Sequence, residues 1–354
     1  MFRGQTYPGV ARHSALNLAA AAVWQTPGRF AITRLLGPSY SLRCLVFHNV
    51  SATDSPFTRG MDVSIAPNHF EATLKFVVKH YHPVSLQDVL DERGGRRLPP
   101  RAVLVTFDDG YASVMDSAAA LCSHLKVPAV FFLNAAFVDN HDLAPDNLVC
   151  YAASVLGMAK VNEAARCVRN NDVPKLQSLA DVFGRFFPAI TIPERRRFLD
   201  ALSDLGGFDG RQLAMQARLY LTSKQIRELA SRDFEIGSHT YTHVRCRSLL
   251  QQNLAQEIDR NKTVLESLSG REVRSFSVPY GSSADLTRDL AAHLQRSGHK
   301  AVFLSESLAN PRGADPLRLD RISPATHRDD ALFCEMEVLP RLRVIRNRLL
   351  GSRN

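Results

Sequence analysis

The sequence predicts an α/β fold with roughly seven strand-and-helix units around a parallel sheet. Short apolar runs rich in valine, leucine and phenylalanine have the length of buried strands. Amphipathic stretches of helical length separate these runs, and polar residues follow several of them directly. This alternation is typical of a parallel sheet covered by helices. Because function in such folds lies at the carboxyl ends of the strands, the polar residues there are the first candidates for a site.

The strand candidates follow one another along most of the chain. They lie at residues 42–50, 101–107, 128–134, 234–243, 273–281, 300–305 and 318–323. Helical periodicity lies at residues 68–81 behind Asn68 as N-cap, at 115–125, at 222–232 behind Thr222 as cap, and at 249–268.

The alternation stops between about residues 143 and 220, where the chain reads as several helices. We therefore expect a helical insertion within one domain that spans residues 41–330. Residues 1–40 are expected to form a basic N-terminal helical segment, with turns at residues 27–28 and 37–38. Residues 331–354 are expected to form a basic C-terminal helix.

Composition and charge narrow the function classes. The chain has 354 residues, 45% hydrophobic and 22% charged, which is ordinary for a soluble globular protein. Its net charge is +9, yet residues 1–53 and 338–354 each hold five arginines and no acid, so the middle is near neutral. A neutral body argues against a nucleic-acid groove. The basic ends are expected either to be solvated or to contact an anionic surface such as phospholipid.

The cysteines and apolar runs predict a cytoplasmic protein, with contact to the inner face of the membrane through the basic ends as a further expectation. The six cysteines contain no CxxC pair and are expected to be reduced thiols. No apolar run reaches the roughly 18 residues of a spanning helix. Residues 16–24 are the best signal-peptide candidate, but the run is short and lacks a convincing cleavage site.

Two strand ends carry the chemistry. His239 and His243 lie four residues apart, so on a helix or tight turn they share a face and can bind one divalent ion. Thr240 stands where a zinc protease would have glutamate, which excludes that class. Asp108 and Asp109 follow the strand at 101–107. Two histidines and one carboxylate form an open metal site, and the second carboxylate can accept a proton from the attacking water. Unrelated surface histidines and a solvated aspartate turn are the alternatives.

Three motifs in order give the sequence a family resemblance. TFDDG at residues 106–110, SHTYTH at 238–243 and FSVPYG at 276–281 resemble the polysaccharide deacetylases, the NodB-homology domain of carbohydrate esterase family four. The resemblance covers roughly residues 42–323, interrupted by the helical insertion. It implies a distorted (β/α)7-type barrel of the polysaccharide deacetylase kind. It also implies a hydrolase that removes N-acetyl groups from amino sugars.

The resemblance implies roles for the first two motifs. Asp108 would be the general base. Asp109, His239 and His243 would bind one divalent metal ion, with zinc expected and cobalt, nickel or iron as alternatives.

The resemblance also implies roles for the third motif and for an early histidine. Pro279, Tyr280 and Gly281 would line the substrate groove, with the Tyr280 N–H helping to hold the oxyanion. The leaving amine needs a general acid. His48, in FHN after the first strand, resembles the early histidine of the circularly permuted poly-N-acetylglucosamine deacetylases. His327 is the alternative acid, in a context that does not match the family's C-terminal motif.

The sequence departs from the family at one position. Many members carry an arginine in the third motif that orients the base, and Ser277 stands there in this chain. Arg274 and Arg321 are the candidates to replace it. The missing arginine leaves open how Asp108 is oriented and how far its pKa is depressed.

The leading hypothesis is therefore a metal-dependent N-deacetylase acting on a polysaccharide or a lipid-linked glycan, with an N-acetylated glycan as its partner and no nucleic acid. Two alternatives stay open. The same fold could hydrolyse a small non-sugar amide. A non-catalytic glycan-binding module is the other alternative, although such a module is expected to have lost a ligand or the base, and all four residues remain.

Overall fold

Seven parallel strands form the frame of the fold in a computed structural model that describes residues 20–35, 40–53, 55–169 and 175–349. In chain order the strands are β1 (Tyr40–Phe47), β2 (Ala102–Phe107), β3 (Ala129–Leu133), β4 (Glu235–Ser238), β5 (Ser275–Ser277), β6 (Ala301–Phe303) and β7 (Arg321–Ile322). Each of the seven expected strand regions contributes one of them.

The strands close into a barrel. Neighbours in chain order pair in parallel from β1 to β6, and β7 pairs in parallel with β1 through Cys44 and Arg321. A bridge between Phe303 and Leu319 completes the ring between β6 and the segment before β7. The contact between β4 and β5 is narrow, with Ser238 opposite Phe276 as its single register pair. The result is the distorted (β/α)7-type barrel that the sequence predicts.

Helices cover the outside of the barrel. Their bounds are Arg29–Leu35, Pro67–His80, Leu86–Arg93, Met115–Ala119 with Ala120–His124, Ser223–Ser231, Gln251–Leu254 with Ala255–Asp259 and Arg260–Ser269, Arg288–Arg296, and Asp329–Phe333 with Cys334–Val338 and Leu339–Leu349. Short turns of helix lie at Ala135–Asn140, Cys246–Ser248, Ser283–Asp285 and Pro316–Arg318, and short strands at Asn49–Val50, Ser64–Ile65, His82–Pro83 and Asn310–Pro311.

Successive side chains of β2 point alternately into the barrel and out towards the covering helices, so they belong to two different hydrophobic cores. Leu104 packs in a cluster inside the barrel, where Phe132 and Phe303 place their ring centroids 5.3 Å apart. Val103 and Val105 pack outward against the helices. Since side chains on a strand alternate between faces, the even-numbered residues of β2 point inward. This parity places the side chain that follows Phe107 at the mouth of the barrel.

The helical insertion is a bundle with a core of its own. Its helices are Pro145–Leu156, Met158–Arg169, Leu179–Asp181, Val182–Phe186, Phe187–Ala189, Ile192–Gly206 and Gly210–Ala217. A capping box between Thr191 and Glu194 starts the longest of them. Phe183 and Phe198 are fully buried in the bundle, and Met61 and Val63 from the loop after β1 join the same cluster. The insertion is therefore packed against the mouth of the barrel.

Two local expectations are resolved at helix starts. Thr222 caps the helix Ser223–Ser231 through a reciprocal capping box with Gln225, as predicted. The prediction of Asn68 as the N-cap is wrong. The helix begins at Pro67, so Asn68 is its second residue and Ala66 occupies the N-cap position. Proline favours the first helical position, since its missing N–H would have no partner there.

The N-terminal segment packs onto the domain where it is described. Residues 1–19 and 36–39 lie outside the described residues, and with them the turn at 37–38 and part of the signal-peptide candidate. Residues 20–24 are helical. The Phe333 ring lies 5.4 Å from the Trp24 ring and 5.5 Å from the Phe30 ring, between ring centroids. The two ends of the chain thus meet on the outside of the barrel.

Two of the arginines at the basic ends are buried. Arg43 on β1 and Arg341 in the C-terminal helix both pair with Glu337, at 2.7 and 2.9 Å. The Tyr81 hydroxyl donates to the same carboxylate at 3.2 Å. These charges stabilise the interior and cannot meet an external surface. Contact of the remaining terminal arginines with phospholipid stays a prediction, as does a cytoplasmic location.

The cysteines lie mostly in the interior. None of the six cysteines forms a disulfide, and all except Cys167 are buried. No helix among the described residues is both long enough and apolar enough to cross a bilayer.

The first prediction concerns the Glu337 cluster, which consists of Glu337 with Arg43, Arg341 and Tyr81. We expect Glu337→Ala to lower the free energy of unfolding by about 3–5 kcal/mol, because it removes the carboxylate that both buried guanidinium groups contact. Glu71→Ala is the matched control, since Glu71 forms an exposed pair with Lys75 and its removal should cost about 0.5 kcal/mol or less. Urea denaturation of both variants measures the difference. Equal midpoints for the two variants would contradict the assigned role of the cluster.

Candidate active site

Asp108 and Asp109 both face the mouth of the barrel although they are neighbours. Asp108 continues the inward parity of β2 and is 3% exposed. Asp109 lies beyond the strand and has a φ of 69°, which turns the chain out of strand geometry. This left-handed conformation is unfavourable for a residue with a Cβ and is typical of functional sites. It brings the second carboxylate back towards the first.

An arginine from the last strand holds Asp108. Arg321 donates through Nη1 to Asp108 Oδ1 and through Nη2 to Oδ2, each at 2.7 Å. The Ser277 hydroxyl donates to Oδ2 at 3.0 Å and accepts from Arg321 Nη2 at 2.8 Å. Burial raises the pKa of Asp108, but the charge and hydrogen bonds of Arg321, together with the His239 and His48 imidazoles, outweigh burial and bring that pKa below its usual value. Asp108 is thereby held ionised.

Arg274 does not take part in this arrangement. It lies just before β5, at the amino end of the strand, and pairs with Glu235 at 2.6 Å. Glu235 begins β4, so the pair is at the opposite end of the barrel from Asp108. Of the two candidates to replace the motif arginine, the structure places only Arg321 against the aspartate.

The two histidines of the second motif lie on the loop after β4, in a non-helical conformation. His239 Nδ1 donates to the Ser277 carbonyl at 2.7 Å, and His243 Nδ1 donates to Asp146 Oδ2 at 2.6 Å. Because a carbonyl and a carboxylate can only accept, each Nδ1 carries a hydrogen, and in the neutral imidazole each Nε2 then has a lone pair. Both lone pairs are therefore available to a ligand.

Asp109, His239 and His243 fit a divalent ion. Asp109 Oδ1 lies 3.4 Å from His239 Nε2 and 3.5 Å from His243 Nε2. Two ligand atoms of a tetrahedral zinc ion lie about 3.4 Å apart, given bonds of about 2.0–2.1 Å. Asp109 Oδ1 is also buried without a hydrogen-bond partner. Together the three residues form a candidate metal site with ligand atoms within 4.8 Å of one another.

Asp146, in the helical insertion, is a site residue that the sequence did not suggest. It follows Pro145 in the first turn of its helix and is 5% exposed. Besides the hydrogen bond from His243 Nδ1–H, Asp146 accepts one from the Tyr280 hydroxyl, which lies 2.9 Å from Oδ1 and 3.1 Å from Oδ2. Burial lowers the pKa of His243, but the Asp146 and Asp109 carboxylates outweigh burial and raise it. No motif or spacing marks Asp146 in the sequence.

The third motif forms a tight turn after β5. The Gly281 N–H donates to the Val278 carbonyl at 2.9 Å. With Pro279 second and Tyr280 at a φ of 64°, this is a type II turn. A Cβ on Gly281 would lie 2.4 Å from the Ser305 Cβ, so only glycine fits. Among the described residues, no backbone carbonyl accepts the Tyr280 N–H.

His48 and His327 occupy different places. His48 follows β1 and lines the same cavity as the two aspartates and two histidines. Burial lowers the pKa of His48 to about 4, against the opposing charges of Asp109 and Asp108. His327 stacks on the His69 ring at 3.8 Å, on the outer helix Pro67–His80, and does not line the cavity.

The cavity measures about 680 Å³, including the space open to solvent. The barrel strands and the helical insertion both contribute to its wall. Of the three residues expected to line the substrate groove, Tyr280 and Gly281 line the cavity and Pro279 does not. The wall also holds residues absent from the sequence expectations, namely Val46, Met61, Val63, Tyr111, Asn134, Phe137, Ala144, Asp146, Asn147, Tyr220, Val278 and Ser305. Asn134 ends the predicted strand at 128–134, so the strand-end rule could have identified it.

The fold is shared with solved deacetylase structures. The chain resembles IcaB from Ammonifex degensii at 19% identity and a TM-score of 0.54, over 85% of this chain and 99% of that one. It resembles Streptococcus pyogenes deacetylase PplD at 14% identity and a TM-score of 0.56, over 85% and 99%. It also resembles BC0361, a polysaccharide deacetylase from Bacillus cereus, at 14% identity and a TM-score of 0.53, over 84% and 69%. No curated protein sequence matches the chain.

The sequence model of the polysaccharide deacetylase family matches residues 95–299, more than half of the chain. This range holds all three motifs, from Asp108 to Gly281, whereas His48 and Arg321 lie outside it. The family expected from the motifs is thereby confirmed. The chain belongs to the polysaccharide deacetylase family and is a hydrolytic N-deacetylase.

Proposed function

We propose that the protein is a metal-dependent hydrolase that removes N-acetyl groups from amino sugars of a polysaccharide or a lipid-linked glycan. One observation carries the proposal: the lone-pair nitrogens of His239 and His243 converge on the unpartnered Asp109 oxygen, beside the ion-paired Asp108. The reaction adds water across the amide, breaks its C–N bond, and leaves acetate and a free amine.

Asp109, His239 and His243 would hold the metal ion. One carboxylate oxygen and two imidazole nitrogens suit zinc, and cobalt, nickel or iron could also occupy such a site. When bound, the ion supplies Lewis-acid activation of the water and of the acetyl carbonyl. Three protein ligands leave further positions open for substrate.

Asp108 would be the general base. Its carboxylate is ionised, and its Oδ2 lies 3.9 Å from His239 Nε2, next to the candidate metal site. Arg321 and Ser277 fix the orientation of the carboxylate, so Asp108 can accept a proton from the attacking water without reorganising. Ser277 thus assists Arg321 at the position where other members carry the arginine itself.

The Tyr280 N–H would stabilise the oxyanion of the tetrahedral intermediate. Its left-handed conformation turns this peptide group out of the strand direction, and no backbone carbonyl among the described residues competes for it. A fixed donor aimed at developing charge is worth more in a site of low dielectric than in water.

His48 would protonate the leaving amine. It lines the cavity wall formed by β1, while His327 lies outside the cavity. With a pKa of about 4 the imidazole is neutral before substrate binds. Negative charge that develops on the intermediate favours protonation of His48, which would take up a proton from solvent and donate it to the amine nitrogen as the C–N bond breaks. Asp108 would return the proton of the attacking water to solvent.

The first test concerns the metal. We expect purified protein to hold about one divalent ion per chain, and both His239→Ala and His243→Ala to lose it, because two ligands cannot retain the ion. His124→Ala, on an outer helix, serves as the control. Elemental analysis after gel filtration measures the content, and full retention by both site variants would refute the metal centre.

The second test separates the base from the ligands. Asp108→Asn should retain the metal yet lower kcat for acetate release by about 10²–10⁴-fold, since the amide cannot accept the proton. The exposed Asp116→Asn should change neither quantity. Activity of Asp108→Asn near that of the parent protein would exclude Asp108 as the base.

The third test addresses the acid. His48→Ala should lower kcat for an N-acetylated glycan by about 10²–10⁴-fold. Its defect should be much smaller with an activated aryl acetate, because that leaving group needs no proton. His327→Ala should behave like the parent protein with both substrates. A slow His327→Ala and an unaffected His48→Ala would reverse the assignment.

A further inference from the structure

We infer that Asp146 of the helical insertion is a positioning residue that holds His243 and Tyr280 in one fixed arrangement. The inference rests on the proposed function, since it concerns the same site. It gives the insertion a part in the chemistry beyond covering the barrel.

The side-chain hydrogen bonds of Asp146 go to site residues. A buried carboxylate is costly unless it is paired and hydrogen-bonded. Among the described residues, the ion pair of Asp146 is with His243, at 2.6 Å, and no lysine or arginine pairs with it. Its other hydrogen-bond donor is the Tyr280 hydroxyl. The Arg195 charge of the same insertion also lowers the pKa of Asp146, but the hydrogen bonds of the carboxylate go to His243 and Tyr280.

The insertion fixes His243 at two points. Asp146 orients the ring and sets the tautomer that directs Nε2 towards Asp109. Arg195, from the helix Ile192–Gly206, donates to the His243 carbonyl at 3.2 Å. His243 has a φ of 51°, a conformation that persists only when its surroundings hold it. A carboxylate behind a ligating histidine orients the ring and raises its basicity.

The same carboxylate anchors Tyr280. The Tyr280 ring lies 5.1 Å from the His243 ring, and the Arg245 guanidinium covers its face at 4.2 Å. The hydroxyl bond to Asp146 prevents the ring from swinging away and thereby steadies the left-handed peptide at Tyr280. One side chain thus links the loop after β4 to the turn after β5.

The test measures metal affinity apart from turnover. Metal-free protein is titrated with zinc against a chromogenic chelator, and the visible spectrum of the cobalt-loaded protein reports the ligand geometry. Asp146→Asn should weaken zinc binding by about 10–100-fold and shift the cobalt spectrum, and Asp146→Ala should weaken binding at least as much. Tyr280→Phe should lower kcat yet leave zinc affinity unchanged, because it keeps the His243 bond.

Two controls make the outcome decisive. Asp181→Asn removes a partly exposed capping carboxylate of the same insertion, remote from the site in its hydrogen bonds, and should bind zinc like the parent protein. Circular dichroism identifies the folded variants, and Asp146→Asn preserves the side-chain volume if Asp146→Ala does not fold. Parent-like affinity and spectrum for Asp146→Asn, with zinc binding lost in His239→Ala, would overturn the inference alone. Parent-like affinity in His239→Ala would instead overturn the metal centre and the inference with it.

Discussion

The Arg321–Asp108 ion pair is the constraint on which the rest of the site depends. Both groups are almost fully buried, so their desolvation is offset only if every donor and acceptor is matched. Arg321 meets this requirement by donating also to the Leu304 carbonyl, the Thr106 hydroxyl and the Ser305 hydroxyl. These partners come from β2 and from the end of β6. Closure of the barrel and orientation of the aspartate are therefore one structural requirement.

The adjacent aspartates have different surroundings because the backbone changes conformation between them. Asp108 keeps strand parity and enters a cationic, hydrogen-bonded environment. Asp109 takes a left-handed conformation and meets two imidazoles. Tyr280 and His243 are also left-handed, so strained peptides follow three different strands at this rim. Such conformations persist where surrounding contacts determine them, and here the contacts are the polar networks around Arg321 and Asp146.

Much of this arrangement could be predicted from the sequence, because strand ends in a parallel barrel share one rim. That rule alone is enough to bring Asp108, Asp109, His239 and His243 together. Applied to Arg274, it would also have excluded that arginine, which lies at the amino end of the strand predicted at 273–281.

Other features had no signal in the sequence. Asp146 lies in a segment whose pattern indicates only helices, and its role depends on how the insertion packs against the barrel. Arg43 counts with the exposed basic charge because its partner Glu337 is 294 residues away in the chain. Arg341 lies only four residues from Glu337, a helical ion-pair spacing that does stand in the sequence, but its burial depends on tertiary packing. The side-chain networks come from tertiary packing, which local patterns do not report.

The position of Arg321 on β7 determines when Asp108 gains its partner during synthesis. Asp108 and Arg321 are separated by 213 residues in the chain, and Arg43 and Glu337 by 294 residues. A ribosome-bound chain that has already made β2 through β6 therefore still lacks the cation that keeps Asp108 charged inside the barrel. An incomplete chain cannot form the Arg321–Asp108 pair, so Asp108 is held in its final arrangement only after β7 has been made.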